Sequence, residues 1–419
     1  MNTLRVQPGR VLIVGAGIAG LATAIRLRQL GWEPTLIERA PARRTGGYFI
    51  ATMGTGQAAA RRLGILDALP DRTPSPGSKM FDVNRSGTMR RTTGIFDLPV
   101  RPKPMLMLRG DVENALFEAL PDGAAVRYST VPTAIEQDPD GVDVTLHDMA
   151  AESDSTERFD LVVGADGLRS TVRNLAFGPA ERFLHRLDHM IAAFELPHAP
   201  MALGPSDGAM QFEPGRSLII YPFADHAPTA LFSYRCDDID AEFAKSPVPR
   251  LRDAYAPAPY GRLFDEVVEA FEHADAYSFD SVEQVHLDSW HRGRVVLVGD
   301  AAWCPTLYSG MGSSTAMAGA DLLGTVLAAS SDGLEAALTE WERRLRPHTD
   351  RYQKIGRQGA LGFSPPNRLR IEMRRAVVAA RGWPLTAPLV NRAIRRSPGV
   401  VARNVDIAAD TTERHPVST

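Results

Sequence analysis

Three glycine-rich turns carry the residue types that could do chemistry, and each follows a short apolar run. The first, Gly15-Ala16-Gly17-Ile18-Ala19-Gly20, follows the β-branched run at 11–14 and opens an amphipathic stretch ending at Gly31. In a G-x-G-x-x-G turn the first glycine permits the tight bend. The second lets the backbone approach a pyrophosphate, and the third lets helix and strand pack closely. Free N–H groups at the start of the following helix would face the phosphates. Glu38, after the next apolar run, stands where a ribose hydroxyl would be bonded. The pattern alone is weak, but strand before, helix after and acid beyond make it a dinucleotide site.

The second turn follows the run at 294–298. Gly299-Asp300 ends a strand at the edge where ligands of open α/β sheets bind. Its carboxylate could bond a hydroxyl of a second, longer ligand segment. Gly310-Met311-Gly312-Ser313 then starts a helix rich in serine and alanine, whose N-terminal N–H groups can face a flat ring. A ring that becomes anionic on reduction is stabilised by such a helix end. Glu38 suits NAD or FAD equally; the Asp300 and Gly310–Ser313 segment decides for the ribityl chain and ring of a flavin. The third turn is Gly164-Ala165-Asp166-Gly167, after the run at 159–163.

These turns need a parallel sheet beneath them, because continuous apolar strands suit a sheet buried on both faces. The expected fold class is therefore α/β: a Rossmann-like FAD-binding domain, an inserted antiparallel β-sheet substrate domain, and C-terminal helices. Alternating stretches at 217–223 and 229–235 mark the inserted sheet. The expected division is 1–75, 106–177 and 281–345 for the FAD-binding domain, with 76–105 and 178–280 for the substrate domain. The arginine-rich stretch 346–410 should form amphipathic helices closing the molecule, and 411–419 a disordered tail.

With 47 basic against 50 acidic side chains, nothing asks for nucleic acid or an anionic membrane. Two distant cysteines, Cys236 and Cys304, exclude a dithiol centre and a cysteine-based zinc site and suit a reducing compartment. No metal site is expected. The N-terminus has no apolar signal-peptide core, and no apolar stretch reaches a membrane span. A soluble, cytoplasmic protein is expected, as a monomer or homodimer.

In this order, GAGIAG with Glu38-Arg39, RRTGGY (43–48), LRGDVENAL (108–116), GADGLRSTVR (164–173) and GDAAWCPTLYSGMG (299–312) make the resemblance specific. Over residues 9–350 the chain resembles the para-hydroxybenzoate hydroxylase-like, class A single-component FAD-dependent monooxygenases, nearest the tetracycline-inactivating branch. The resemblance implies that Gly15, Gly17, Gly20, Glu38 and Arg39 hold the ADP half of FAD, with Ala16, Ile18 and Ala19 completing the turn. It places Arg109 at the pyrophosphate and ribityl region, Asp300 on the ribityl chain, and Gly310, Gly312 and Ser313 along the ring, with Gly299 beside them. Gly46 and Gly47 pass close to the ring. Arg43 matches an arginine near NADPH, and Asp166 and Arg169 belong to a motif tied to both FAD and NAD(P)H. Each has a plainer reading: ion pairing at the surface for Arg43 and Arg109, and a turn aspartate bonding backbone N–H groups for Asp166.

In this family NAD(P)H binds transiently and reduces non-covalently held FAD. Oxygen then adds as a C4a-hydroperoxide that delivers one atom to the substrate, and no dedicated acid or base is obligatory. The expected substrate is a bulky aromatic or polyketide-like small molecule, against Met210, Phe212, Ile220, Tyr221 and Phe232, with Trp303 and Leu307 at the flavin turn. Each strand residue could equally be plain core. Arg216, Tyr221 and Arg235 are candidate polar handles. Relatives often carry histidine at Trp303, proline at Leu307, glutamine at Met311, asparagine at Ser314 and, in tetracycline-type members, aspartate at Ile50. Those departures leave two alternatives open: a non-redox cyclase or isomerase that keeps FAD as scaffold, and a non-catalytic flavin-binding protein.

Overall fold

The computed structural model describes residues 6–43, 47–97, 99–121, 124, 126–257 and 261–409. Gly46 and the expected tail at 411–419 lie outside them.

Val11, Leu12 and Ile13 are wholly buried, as a strand covered on both faces requires. Their strand, Arg10–Val14, lies inside a six-stranded sheet. The order is His291–Arg292, Val295–Leu297, Leu161–Gly164, Arg10–Val14, Glu33–Ile37, Val126–Arg127. All neighbours run parallel except His291–Arg292, which is antiparallel to Val295–Leu297. The three apolar strands that end in glycine-rich turns are thus adjacent, and their carboxyl ends bring those turns together. Helices Ile18–Gln29 and Gly312–Ala329 pack close enough that a Cβ at Gly324 would lie 2.5 Å from the Arg26 side chain.

The second sheet has seven strands in the order Tyr277–Val285, Leu184–Glu195, Thr229–Arg235, Arg216–Tyr221, Gly208–Glu213, Met80–Val83, Met89–Thr92. It is antiparallel apart from the pair Gly208–Glu213 and Met80–Val83. Register decides which residues share a face. Met210 pairs with Ile219, Ile219 with Leu231, and Leu231 with Ala193, so these four point to one side. Ile220, Phe232 and Phe194 point to the other, where they form a core with Val267, Val268 and Phe271 of helix Arg262–Glu272. This corrects the expectation for Ile220 and Phe232. Neighbours along a strand cannot both face one cavity, and Tyr221 holds that side.

Two smaller sheets complete the β structure: Thr130–Gln137, Val142–Asp148 and Ser153–Phe159, and the pair Phe49–Thr52 with Met105–Leu108. The long helix Leu334–Phe363 runs unbroken across the division expected between 345 and 346. Its buried face continues through Leu338, Trp341, Leu345, Tyr352, Gly356 and Ala360, and this packing carries the helix through Pro347. Helices Arg368–Gly382, Ala387–Arg396 and Pro398–Ala402 follow. Arg375 ties the first of these to the second sheet through a 2.9 Å ion pair with Asp82. No described helix is long and apolar enough to cross a membrane.

Candidate active site

At the first turn the glycines divide by what a side chain would meet. Gly15 has φ +100°, and a Cβ there would lie 2.6 Å from the Ala165 carbonyl oxygen. A Cβ at Gly20 would lie 1.9 Å from the Gly15 oxygen. Both are demanded by the protein's own packing. At Gly17 a Cβ would make only ordinary contact, with Arg109 Nη2 and Glu113 Oε1 each 3.8 Å away, so the protein's own packing does not demand glycine there. Glu38 accepts from Ala16 N at 3.0 Å and from Ala40 N at 2.9 Å, binding the turn to the end of the second strand. Ile18 and Ala19 border a cavity with Gly17.

That cavity has a volume of about 610 Å³ and joins both sheets. On the parallel-sheet side it is bordered by Arg109, Asp300, Gly310, Gly312 and Ser313. Arg109 begins helix Arg109–Glu118 and pairs with Glu113 at 2.7 Å. Burial alone would lower the Arg109 pKa, but the carboxylates around it, Glu113 foremost and then Asp300, oppose burial and the shift is upward. Asp300 is exposed to the cavity space while protein atoms pack densely around it. Burial raises its pKa, against the opposing charge of Arg109.

The turn between Asp300 and Gly312 is held from outside. Thr306 adopts φ +69°, a strained conformation for a β-branched residue, and Gly310 adopts φ +64°. Arg403 donates to the Ser309 carbonyl through Nη2 at 2.8 Å and Nε at 3.2 Å. The long helix presses its glycines on the turn. A Cβ at Gly356 would lie 2.1 Å from the Pro305 oxygen, and one at Gly359 2.5 Å from the Tyr308 oxygen. At Gly312, by contrast, a Cβ would meet nothing within 4 Å.

On the second sheet's side the cavity is bordered by Met210, Phe212, Ile219, Tyr221, Leu231 and Ile191, with Leu307 across from them in the turn. Tyr221 stacks on Phe49, ring centroids 4.0 Å apart and planes within 8°. Ile50 also borders the cavity.

Other expected residues stand elsewhere. Trp303 is buried against Trp290 and Trp341, with centroids 4.8 and 6.0 Å away, and turns from the cavity into the core. The departure from the family histidine at this position therefore leaves the cavity lining untouched. Asp166 accepts from Ser170 Oγ at 2.6 Å, Thr171 N at 2.6 Å and Val172 N at 3.1 Å. Its carboxylate is spent on the start of helix Thr171–Ala176, the turn-aspartate reading, and its neighbours Ala165 and Gly167 border the cavity instead. Arg43 lies over the Phe117 ring at 4.8 Å and bonds Asn114, outside the cavity; Arg39 is exposed. Gly47 donates its N–H to Glu195 at 2.8 Å, and Gly299, at φ +69°, packs on Ala19. Arg169 pairs with Asp280 at 2.9 Å. Of the proposed handles, Arg216 bonds Glu213 at 3.0 Å and Arg235 is exposed, so neither enters the cavity.

Sequence reasoning missed Arg374 and Arg403, which border the cavity from the C-terminal segment, and Gly356 and Gly359, which shape the turn. The three-residue spacing of Gly356, Gly359 and Gly362 was a readable signal of a helix face under close approach.

The arrangement fits a flavin dinucleotide. Gly17 and Gly312, the glycines that the protein's own packing does not demand, border one continuous space that also holds a cation, Arg109, and a carboxylate, Asp300. Among the described residues no cluster of His, Cys, Asp and Glu is placed to hold a metal ion.

Comparison with known proteins agrees. The family model described as "FAD binding domain" matches residues 9–351. A flavin-dependent monooxygenase of Legionella longbeachae is 29% identical over 353 residues, covering 83% of this chain and 87% of that one. The uncharacterized protein MT1298 of Mycobacterium tuberculosis is 30% identical over 365 residues, covering 85% and 94%. Among solved structures, the tetracycline destructase Tet(51) superposes with a TM-score of 0.71 at 25% identity, covering 88% of this chain and 96% of that one. HpxO of Klebsiella pneumoniae, solved with FAD and uric acid, gives 0.73 at 19% identity, covering 96% and 99%, a likeness of fold. The chain belongs to the FAD-binding family of class A flavin-dependent monooxygenases.

Proposed function

We propose that this protein uses NAD(P)H and O2 to oxygenate a bulky aromatic or polyketide-like small molecule held over non-covalently bound FAD. The carrying observation is one cavity of about 610 Å³ with two unlike walls: Asp300, Arg109 and the Gly310–Ser313 turn on one side, and an apolar sheet face on the other. The flavin, when bound, accepts reducing equivalents from a nicotinamide and activates oxygen.

The chain's own residues bind and orient. Gly17 and the start of helix Ile18–Gln29 would take the pyrophosphate, helped by the Arg109 cation. Asp300 would accept from the ribityl hydroxyls. N–H groups of Gly312 and Ser313, at the start of an 18-residue helix, would face the ring and favour negative charge on it. Met210, Phe212, Ile219, Tyr221 and Leu231 would hold the substrate by apolar contact and keep water out. Burial pushes the Cys304 thiol well up, which makes it a poor nucleophile and favours non-covalent cofactor.

The test is anaerobic mixing of the FAD-loaded protein with NADPH, and separately NADH, following loss of the oxidised flavin band. Bleaching that an aromatic compound accelerates is the expected result. No bleaching by either nicotinamide, with or without a broad aromatic panel, would sink the reading.

A further inference from the structure

Arg374 is a cation in the cavity wall without an ion-pair partner among the described residues. Its helix, Arg368–Gly382, is capped by Asn367, whose side chain accepts from Arg370 N at 3.0 Å. Ile371 is buried against Met80, Met210, Phe212 and Ile219, and Arg374, three residues on, shares that face. Among the described residues Arg374 makes no ion pair. Asp82, whose charge acts on it, is engaged on both oxygens by Arg375 at 2.9 Å, and Glu372 is engaged by Arg375 at 2.7 Å.

What the guanidinium does touch is weak. Nη2 meets the Met210 sulfur at 2.8 Å, and the carbon centre lies 4.0 Å from the Phe212 ring centroid. A thioether is a poor acceptor. Among the described residues Nη1, sealed from solvent, has no hydrogen-bond partner. Leaving a charged donor buried and unmatched is costly, so such a group in a ligand cavity is poised for an acceptor that arrives with the ligand. A planar fork matches a planar oxyanion.

We propose that Arg374 is the specificity-determining residue of the cavity, anchoring a carboxylate or similarly planar oxyanion on the substrate. The proposal rests on the reading that this cavity holds the substrate. The guanidinium exchanges the Met210 sulfur for the ligand's oxygens, while the aromatic body of the ligand lies along Phe212, Ile219 and Tyr221. An uncharged polycycle of the same shape is then a poor ligand.

The test measures dissociation constants by calorimetry on the FAD-loaded protein with three matched pairs: benzoate, naphthoate and anthracene carboxylate, each against its amide. At least one carboxylate should bind about 10- to 100-fold more tightly than its amide, the worth of a charge-assisted pair. Arg374→Gln should erase that preference and leave amide binding nearly unchanged, and Arg374→Lys should keep part of it. A purely structural arginine would weaken acid and amide alike. Should Arg374→Gln not fold, Arg374→Met, which keeps an apolar stem over Phe212, carries the same comparison. Equal affinity within all three pairs, no binding by any of the carboxylates, or a preference that survives loss of the guanidinium, overturns the proposal. Failure of NAD(P)H to bleach the flavin would sink the monooxygenase reading and leave this anchor standing.

Discussion

Replacing Gly312 with valine separates a glycine needed by a ligand from one needed by the fold. A Cβ at this position meets no protein atom within 4 Å, and the residue is the first of helix Gly312–Ala329. Relative to glycine, valine in a helix recovers a few tenths of a kcal/mol at most, so the apo-protein's melting temperature should move by less than ~2 °C. With FAD seated against the turn, the same methyl groups intrude on the ring. Overpacking of that kind costs about 1–3 kcal/mol, a loss of roughly 5- to 150-fold in FAD affinity. The assay is thermal denaturation of apo-protein, followed by FAD titration read by quenching of its fluorescence. Gly20→Ala is the contrast. Its Cβ would sit 1.9 Å from the Gly15 carbonyl oxygen, so it should destabilise the apo-protein itself. An apo-protein melted by Gly312→Val, or unchanged FAD affinity, would refute the assignment of that space to the cofactor.

Three further outcomes follow from the same geometry. Gly356→Ala drives a methyl group to 2.1 Å from the Pro305 oxygen, so it should cost about 1–3 kcal/mol in urea unfolding and weaken FAD retention together. Removing the two Arg403 bonds to the Ser309 carbonyl with Arg403→Leu should lower stability by about 1–3 kcal/mol and speed FAD release, seen by stopped-flow fluorescence. Burial, with His185 and Arg357 nearby, depresses the His286 pKa to about 4. The folded state thus binds fewer protons than the unfolded one between there and the ordinary value near ~6.5. This contribution to stability is complete above that window and disappears as pH falls through it. His286→Gln should flatten the decline measured by denaturant unfolding at stepped pH, and an unaltered slope would contradict the assignment.

Much of the flavin-side architecture was legible because apolar β-branched runs and glycine-rich turns are local signals. The runs at 11–14, 161–164 and 295–297 carry no charged residue, so they read as parallel strands, and each turn's position followed. The substrate wall was less legible. Strand Arg216–Tyr221 is buried along both faces over its middle, so composition does not say which side Ile220 or Tyr221 takes. The register with Thr229–Arg235 does. Trp303 sits within a motif that surrounds the cavity, yet one turn of helix rotates it into a cluster with Trp290 and Trp341 that are distant in sequence. Arg374 was invisible for a related reason. Its partners, Met210 and Phe212, lie more than 150 residues away, and an arginine among many in amphipathic helices carries no mark of burial.

The proposed reaction transfers a single oxygen atom to an organic substrate held beside FAD in one cavity. It is tested most directly by mass spectrometry of the product formed under oxygen-18 gas, from whichever aromatic acid most accelerates NAD(P)H oxidation by the FAD-loaded protein. One labelled oxygen atom is expected in each product molecule, with one NAD(P)H consumed for each. Product without label, or hydrogen peroxide formed in step with NAD(P)H while the acid is recovered unchanged, would contradict it.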